Sequence, residues 1–580
     1  MCIFPKEIKF IRYTSIGDIM DTTKNTKKIA KIFKKITTWQ QKVVKLEAKE
    51  KKNNLDEYKI NKLKEKITLY QKLSETYNEQ GNEAKVKRAI IKEKHKRNQI
   101  LYGNITQAII IICFPLAVYA LFNSFYSLID SIMASRIKSA ANASGVINIS
   151  NIMVISQIKS MISAFGAGIA GGGAVLVSRY YGAANITDAK KTGSNMILVS
   201  IITSLIIIVL LVPLAPVILK IAQVPQISNS VILYFRLILV ELIFVSINNI
   251  FIGLEKIKGN SKKILILNIT VLIIKLILNV IFVFGIKVDS IIYLEIATII
   301  SQAALFIYSC FIMFSKKNML QISFKNMRPQ SIYIIPILKL SIPIFLGKFV
   351  MSLGKTTVNA LCGSYYGEAT NGLIVGALGV SNNLSGLVTN TTNVFEEGES
   401  TIVSQNIGNK NLDRTISAFI RTLAIVAIIS LIGYICVRFI FIDQLTALFS
   451  IGNKESEKMS LYIKEIFVYD SLSIPSLGLT SALLGLLYGY GKTFLSSILN
   501  FSRIGIRIIS LVVCHSIGLN YTAAGISMGI SNILIGIMAL CFLLFFLVNL
   551  KKKGYKGLYL SQKNKVKTNS TLSHNHKILK

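Results

Sequence analysis

The sequence predicts an all-α polytopic membrane protein with twelve transmembrane helices in two related sets of six. Three observations carry this expectation. Mean hydropathy is +0.54 over 580 residues, too apolar for a chain of this size folding in water. Apolar stretches of about 20 residues or more, the length that crosses a hydrocarbon core as a helix, recur between residues 105 and 549. Short motifs of the first half return in the second at a nearly fixed offset.

Taken in order, the first element is a basic extension, residues 1–104. Its first hundred residues carry 26 Lys/Arg against 12 Asp/Glu. Within 40–98, apolar residues at Ile60, Leu63, Ile67, Tyr70 and Leu73 suit one long amphipathic helix or a short coiled coil. Six spans follow at 105–135, 148–177, 193–217, 230–254, 263–286 and 290–314, forming a first lobe over 105–325. Six more at 332–361, 371–401, 415–441, 458–488, 493–515 and 521–549 form a second lobe over 326–550. The chain ends in a basic tail, 551–580, with nine lysines and no acid.

Charge is distributed as a membrane demands. Loops after even-numbered spans hold Arg179, Lys190 and Lys191, then Lys256, Lys258, Lys262 and Lys263, then Lys316, Lys317, Lys325 and Arg328. Those after spans one, three, five and seven hold only Arg136, Lys138, Lys220 and Lys287. The positive-inside rule therefore puts both termini in the cytoplasm, where their lysines meet anionic headgroups. Because so much of the +38 net charge lies in the extensions, membrane lipid is the expected partner and nucleic acid is not. Abundant Lys, Ile and Asn and a single Trp39 suit an AT-rich bacterial genome, hence a bacterial plasma membrane. No apolar segment follows the basic start closely enough to suggest a signal peptide.

Seven scattered cysteines without CxxC spacing read as small buried hydrophobes, and four histidines suggest no metal site. No clustered catalytic set at one membrane face points to an enzyme. No cofactor is expected.

The duplication rests on three landmarks. "VSRYYGAAN" from Val177 and "VSQNIGNKN" from Val403 match Val, Ser, Gly and Asn at an offset of 226. Pro115 and Pro343 align at 228; "GLEKIKGN" from Gly253 and "GLLYGYGK" from Gly485 align at 232. An even number of spans per repeat gives both halves the same orientation, related by an axis along the membrane normal.

These residues, with Asp130 fifteen positions after Pro115 and "GGGAVLVSRYYGAAN" closing the second span, resemble the multidrug and toxic compound extrusion (MATE) transporters over roughly residues 105–545. The resemblance implies two homologous six-helix lobes around a central cavity. It implies an antiporter that expels small organic compounds, often cationic, against H+ or Na+. We expect a monomer; the rival within transport is an exporter or flippase of lipid-linked or polysaccharide precursors.

Candidate site residues follow. Asn123, Tyr126, Ser127 and Asp130 fall at i, i+3, i+4 and i+7, one polar stripe on the first span. An ionised carboxylate at mid-membrane costs about 2.5–3.5 kcal/mol, so Asp130 requires a partner, water or a proton. By resemblance, Asp130 takes the coupling role. Typical members carry Asn and, four residues later, Asp in the fifth helix; here "KLILNVIFVFG" puts Lys275 and Asn279 there. Equal distances from the turns at Gly253–Gly259 and Gly485–Gly491 predict intramembrane pairs Glu241–Lys275 and Asp470–Arg507. Glu396, Glu397 and Glu399 near the inner end of span eight would gather cations at the cytoplasmic mouth. Glu295 and Arg503 are intramembrane charges without an assigned partner.

Overall fold

Among the described residues, the chain builds eleven apolar spans and one more long, polar helix. The computed structural model describes residues 19–552 apart from 49–53, 79–81, 138–145, 223, 225, 371–372 and 450–453. The basic tail expected beyond 552 lies outside the described residues. The chain separates into two units, one containing residues up to His95 and the other running from Lys96 to Leu558.

The first unit is helical. The extension, expected to form a long amphipathic helix or a short coiled coil over 40–98, forms α1 (Ile19–Glu47), α2 (Asn54–Asn78) and α3 (Asn82–Tyr102), the last running past the boundary at His95. Helices α1 and α2 pack as a pair, with the Trp39 ring edge-on to Tyr70 at 4.8 Å and Lys64 2.7 Å from Glu47.

In the second unit the N-lobe holds α4 (Ile105–Arg136), α5 (Val146–Gly182), α6 (Ile186–Ile221), α7 (Asn229–Ile257), α8 (Ser261–Val280) and α9 (Ile292–Phe314). The C-lobe holds α10 (Ser331–Tyr366), α11 (Leu373–Gly408), α12 (Leu412–Ile435), the short α13 (Ile442–Ala447), α14 (Lys454–Asp470), α15 (Ile474–Gly489), α16 (Thr493–Ser516) and α17 (Ala523–Lys552). Helices α14 and α15 together make one span. Among the described residues, eleven spans are long and apolar enough to cross a membrane. The twelfth is α11, equally long but rich in Asn, Thr and Glu. It tolerates that polarity because it packs inside the bundle against α4, α5, α12, α14 and α15, out of reach of lipid. Outward faces carry exposed Val209, Phe311 and Ile509, as a lipid-facing surface requires.

The two halves repeat one plan. Helix α4 packs on α8 within its lobe and on α11 across the interface; α10 packs on α16 within its lobe and on α5 across. Asn185 caps α6 by accepting from the Asp188 amide, and Asn411, 226 residues later, caps α12 by accepting from the Arg414 amide. Left-handed backbone recurs at the same offsets: Ala184 (φ 63°) with Lys410 (φ 57°), and Gly259 (φ 73°) with Gly491 (φ 72°).

Candidate functional site

Asp130 is held by α8. Lys275 Nζ lies 2.6 Å from its Oδ2, and Asn279 Nδ2 donates to its Oδ1 at 2.9 Å. The same Asn279 amide donates to the Tyr126 hydroxyl at 2.7 Å, and the Lys275 ammonium sits 4.7 Å from the Tyr126 ring centroid. Tyr126 and Asp130 are one turn apart on α4, as Lys275 and Asn279 are on α8, so facing turns interlock as two rungs. Asn123 is exposed and takes no part in these contacts. Its place on the stripe set the right spacing but pointed it outward.

A second charged group lies deeper in the N-lobe. Lys159 of α5 pairs with Glu241 of α7, and its Nζ is 3.6 Å from Glu295 Oε1 of α9. The expected Glu241–Lys275 pair is therefore not formed. Equal distance from a turn fixes depth in the membrane, but helix rotation fixes the partner. Helix α7 turns Glu241 toward α5 and α9, while α8 turns Lys275 toward α4.

Between the lobes lies a cavity of about 450 Å³, lined by Ser160 and Ser163 of α5 and otherwise mostly by the C-lobe. Its charged lining comprises Lys348 and Lys355 of α10, Glu396 and Glu397 of α11, Asp470 of α14, and Arg503 and Arg507 of α16. A smaller one of about 320 Å³ shares Lys348, Glu396 and Glu397 with it and adds Ser178, Lys256 and Ser400. Helix α14 breaks just after Asp470 in a turn of 3-10 helix, Ser471–Ser473, before α15 resumes. The interruption faces polar groups, since Asn532 donates to Ser473 Oγ at 2.9 Å and Ser476 donates to the Asn532 carbonyl at 2.9 Å. Asp470 accepts from Ser385. Arg507 donates through Nε to Ser531 at 3.1 Å and through Nη2 to Asn532 at 2.9 Å. So the expected Asp470–Arg507 pair is also replaced: both side chains line one cavity, and each is held by neutral groups.

The end of the bundle bearing the repeated motifs is closed by reciprocal contacts. Arg179 Nη2 donates to the Gly489 carbonyl at 3.2 Å, and Gln405 Nε2 donates to the Ile257 carbonyl at 2.8 Å. Arg179 and Gln405 correspond across the repeat, as do Ile257 and Gly489. Lys256 of the N-lobe lies 2.7 Å from Glu397 of the C-lobe at the same end. The three acids of α11 thus part company: Glu397 is paired across the lobes and Glu396 lines the cavity. Glu399 is fully buried, its Oε2 3.0 Å from where a side chain on Gly485 would begin. Of the three, Glu399 is no mouth residue, because its turn of α11 packs on α15.

Residue-type reasoning missed Lys159, Lys348 and Lys355. The available signal was the one used for Asp130, a charge within an otherwise apolar span.

A family model described as MatE matches residues 115–281 and 343–513, the bodies of the two lobes. No curated protein matches the chain. A solved structure of MATE in complex with MaL6 superposes with a TM-score of 0.69 at 17% identity, covering 78% of this chain and 99% of that one. A MOP superfamily transporter from Pyrococcus furiosus, described as having a binding pocket of reverse polarity that suggests a different function, gives 0.69 at 17%, over 78% and 98%. An outward-facing multidrug resistance MATE family transporter of the MOP superfamily gives 0.69 at 16%, over 78% and 98%. At such identities these likenesses show the fold.

Proposed function

The chain belongs to the MatE family, and from that premise we propose that it is a secondary active antiporter that exports small organic compounds by alternating access. It is a multi-pass membrane protein, and its family is one of transporters. One observation carries the mechanistic reading: a cavity between two pseudo-symmetric lobes, sealed at one end by contacts that the repeat duplicates. Rocking one lobe against the other exchanges those contacts for an opening at that end. Glu396 supplies the negative side of the cavity for a cationic centre on the cargo.

For the coupling ion the geometry supports H+ over Na+. A hard cation such as Na+ is held by oxygens, whereas the Asp130 carboxylate is flanked by the N–H donors of Lys275 and Asn279. A proton arriving at Asp130 cancels its attraction for Lys275 and frees α4 from α8. That release is the differential contact an exchange cycle requires.

The test is export of a fluorescent cation from loaded proteoliposomes under an imposed pH or sodium gradient, with wild type and Asp130→Asn. Proton-driven export lost in the variant supports the reading. Export unchanged in the variant would remove Asp130 as the coupling group, and no export of either this cation or a fluorescent organic anion under either gradient would favour the exporter of lipid-linked precursors.

A further inference from the structure

We propose that the C-lobe wall of the central cavity is a subsite for an organic anion, a carboxylate or phosphate ester, so that the cargo carries a negative group besides any cationic centre that Glu396 meets. This deepens the transport reading and rests on it only for the fate of the bound molecule.

The argument begins with a broken symmetry. Lys275 of the N-lobe corresponds to Arg507 of the C-lobe at the repeat offset of 232. In the N-lobe the cation is matched by Asp130 at 2.6 Å. The C-lobe position corresponding to Asp130, at the Pro115-to-Pro343 offset of 228, is Val358. The cation thus has a counterpart in the second repeat and the acid has none. Arg507 is instead braced by Ser531 and Asn532, which fix its orientation without cancelling its charge.

Other cations gather on the same wall. Arg503 lies one turn earlier on α16, keeps 9% of its surface exposed, and its Nε has no hydrogen-bond partner. Lys348 and Lys355 face the same space from α10. Against these four stand three carboxylates, and Glu397 is already occupied by Lys256, which does not line this cavity. Glu396 and Asp470 remain, leaving two positive charges in excess. An excess of that kind, gathered on one cavity wall, draws an anion to it by its local field. Two arginines and two lysines around one pocket match the multi-oxygen geometry of a carboxylate or phosphate. The α14–α15 break contributes Ser473, which accepts from Asn532 of α17, and Asn532 in turn accepts from Arg507, so the cation is positioned before any ligand arrives.

The experiment uses the full-length protein in nanodiscs and reads fluorescence anisotropy with two dyes sharing one ring system, carboxyfluorescein and a rhodamine ester. We expect the anion to bind more tightly than the cation. Arg503→Gln and Lys355→Gln should each weaken carboxyfluorescein by about tenfold and leave the rhodamine ester unchanged. Arg503→Lys, which keeps the charge, should stay within about threefold of wild type. A fluorescent short-chain phosphatidylglycerol offered in parallel separates a lipid headgroup from a free organic anion. Tighter binding of the rhodamine ester, or carboxyfluorescein binding indifferent to Arg503→Gln and Lys355→Gln in folded protein, overturns the subsite. Binding needs no gradient, so it is decided separately from transport. Arg503-dependent binding of an anion that no gradient moves would leave the subsite standing and sink the antiport reading.

Discussion

Lys275 Nζ lies 2.6 Å from Asp130 Oδ2, joining the first and fifth spans through a pair that is partly buried on both sides. Removing one member strands the other beside a bilayer, whereas removing both leaves a neutral contact. Lys275→Met should therefore destabilise more than Asp130→Asn combined with Lys275→Met. The two sites should show a coupling energy of about 0.5–3 kcal/mol in a double-mutant cycle. Thermal unfolding in detergent measures it, and additive effects would mean that the pair contributes nothing.

The same pair predicts ion selectivity. With the ammonium of Lys275 in place, sodium has no vacant oxygen cage at Asp130, so adding sodium should leave the unfolding temperature of wild type unchanged. Lys275→Gln replaces the ammonium with an amide whose oxygen can turn toward a cation. Sodium should then raise the unfolding temperature of that variant, as any ligand of the native state does. Potassium at equal ionic strength is the control. Stabilisation of wild type by sodium alone would argue for sodium coupling.

Much of this was legible in the residues. Among the described residues, the eleven apolar spans and α11 overlap the stretches that predicted them, because a run of about 20 apolar residues marks each crossing even where the helix extends beyond it. The duplication was readable because capping asparagines and left-handed turns need particular residues: Asn185 and Asn411, Gly259 and Gly491. Asp130 with Tyr126 and Asn279 emerged as one cluster. Pair identity did not, because depth can be counted along a helix whereas rotation depends on neighbouring helices. That is why Glu241 went to Lys159 and Lys275 to Asp130. Glu399 misled for the same reason, its turn of α11 facing α15 and not the mouth.

Close packing at the sealed end makes a sharper prediction. A side chain on Gly182 would begin 2.1 Å from the Gln405 carbonyl oxygen, and one on Gly408 would begin 2.1 Å from the Arg179 carbonyl oxygen. Both obstacles are backbone of the opposite lobe, so no rotamer change relieves them. Gly182→Ala and Gly408→Ala should each push the lobes apart at this end. With the native cysteines replaced and Ser400→Cys introduced in the adjoining cavity, either alanine should raise maleimide labelling from that side several-fold, by about the factor of 5–30 that 1–2 kcal/mol produces. Unchanged labelling in both variants would show that the seal does not depend on this contact.

Arg179 and Gln405 complete the seal, each reaching across the lobe boundary to a carbonyl at the end of the other lobe's helix, Gly489 and Ile257. A net hydrogen bond is worth about 0.5–1.5 kcal/mol, and more when the donor is charged. Losing Arg179 should therefore bias the equilibrium toward the opened end more than losing Gln405. Because the contacts are reciprocal and act on one rigid-body motion, Arg179→Ala with Gln405→Ala should shift it further than either alone. Spin labels on α5 and α11 near this end would report the separation as a distance distribution. Wild type should give a short distance, and the double variant a larger share of a longer one. The gain should come without loss of thermal stability in proportion, since the change trades one native state for another. A double variant that unfolds early while keeping the short distance would make these contacts part of the scaffold and not of the gate.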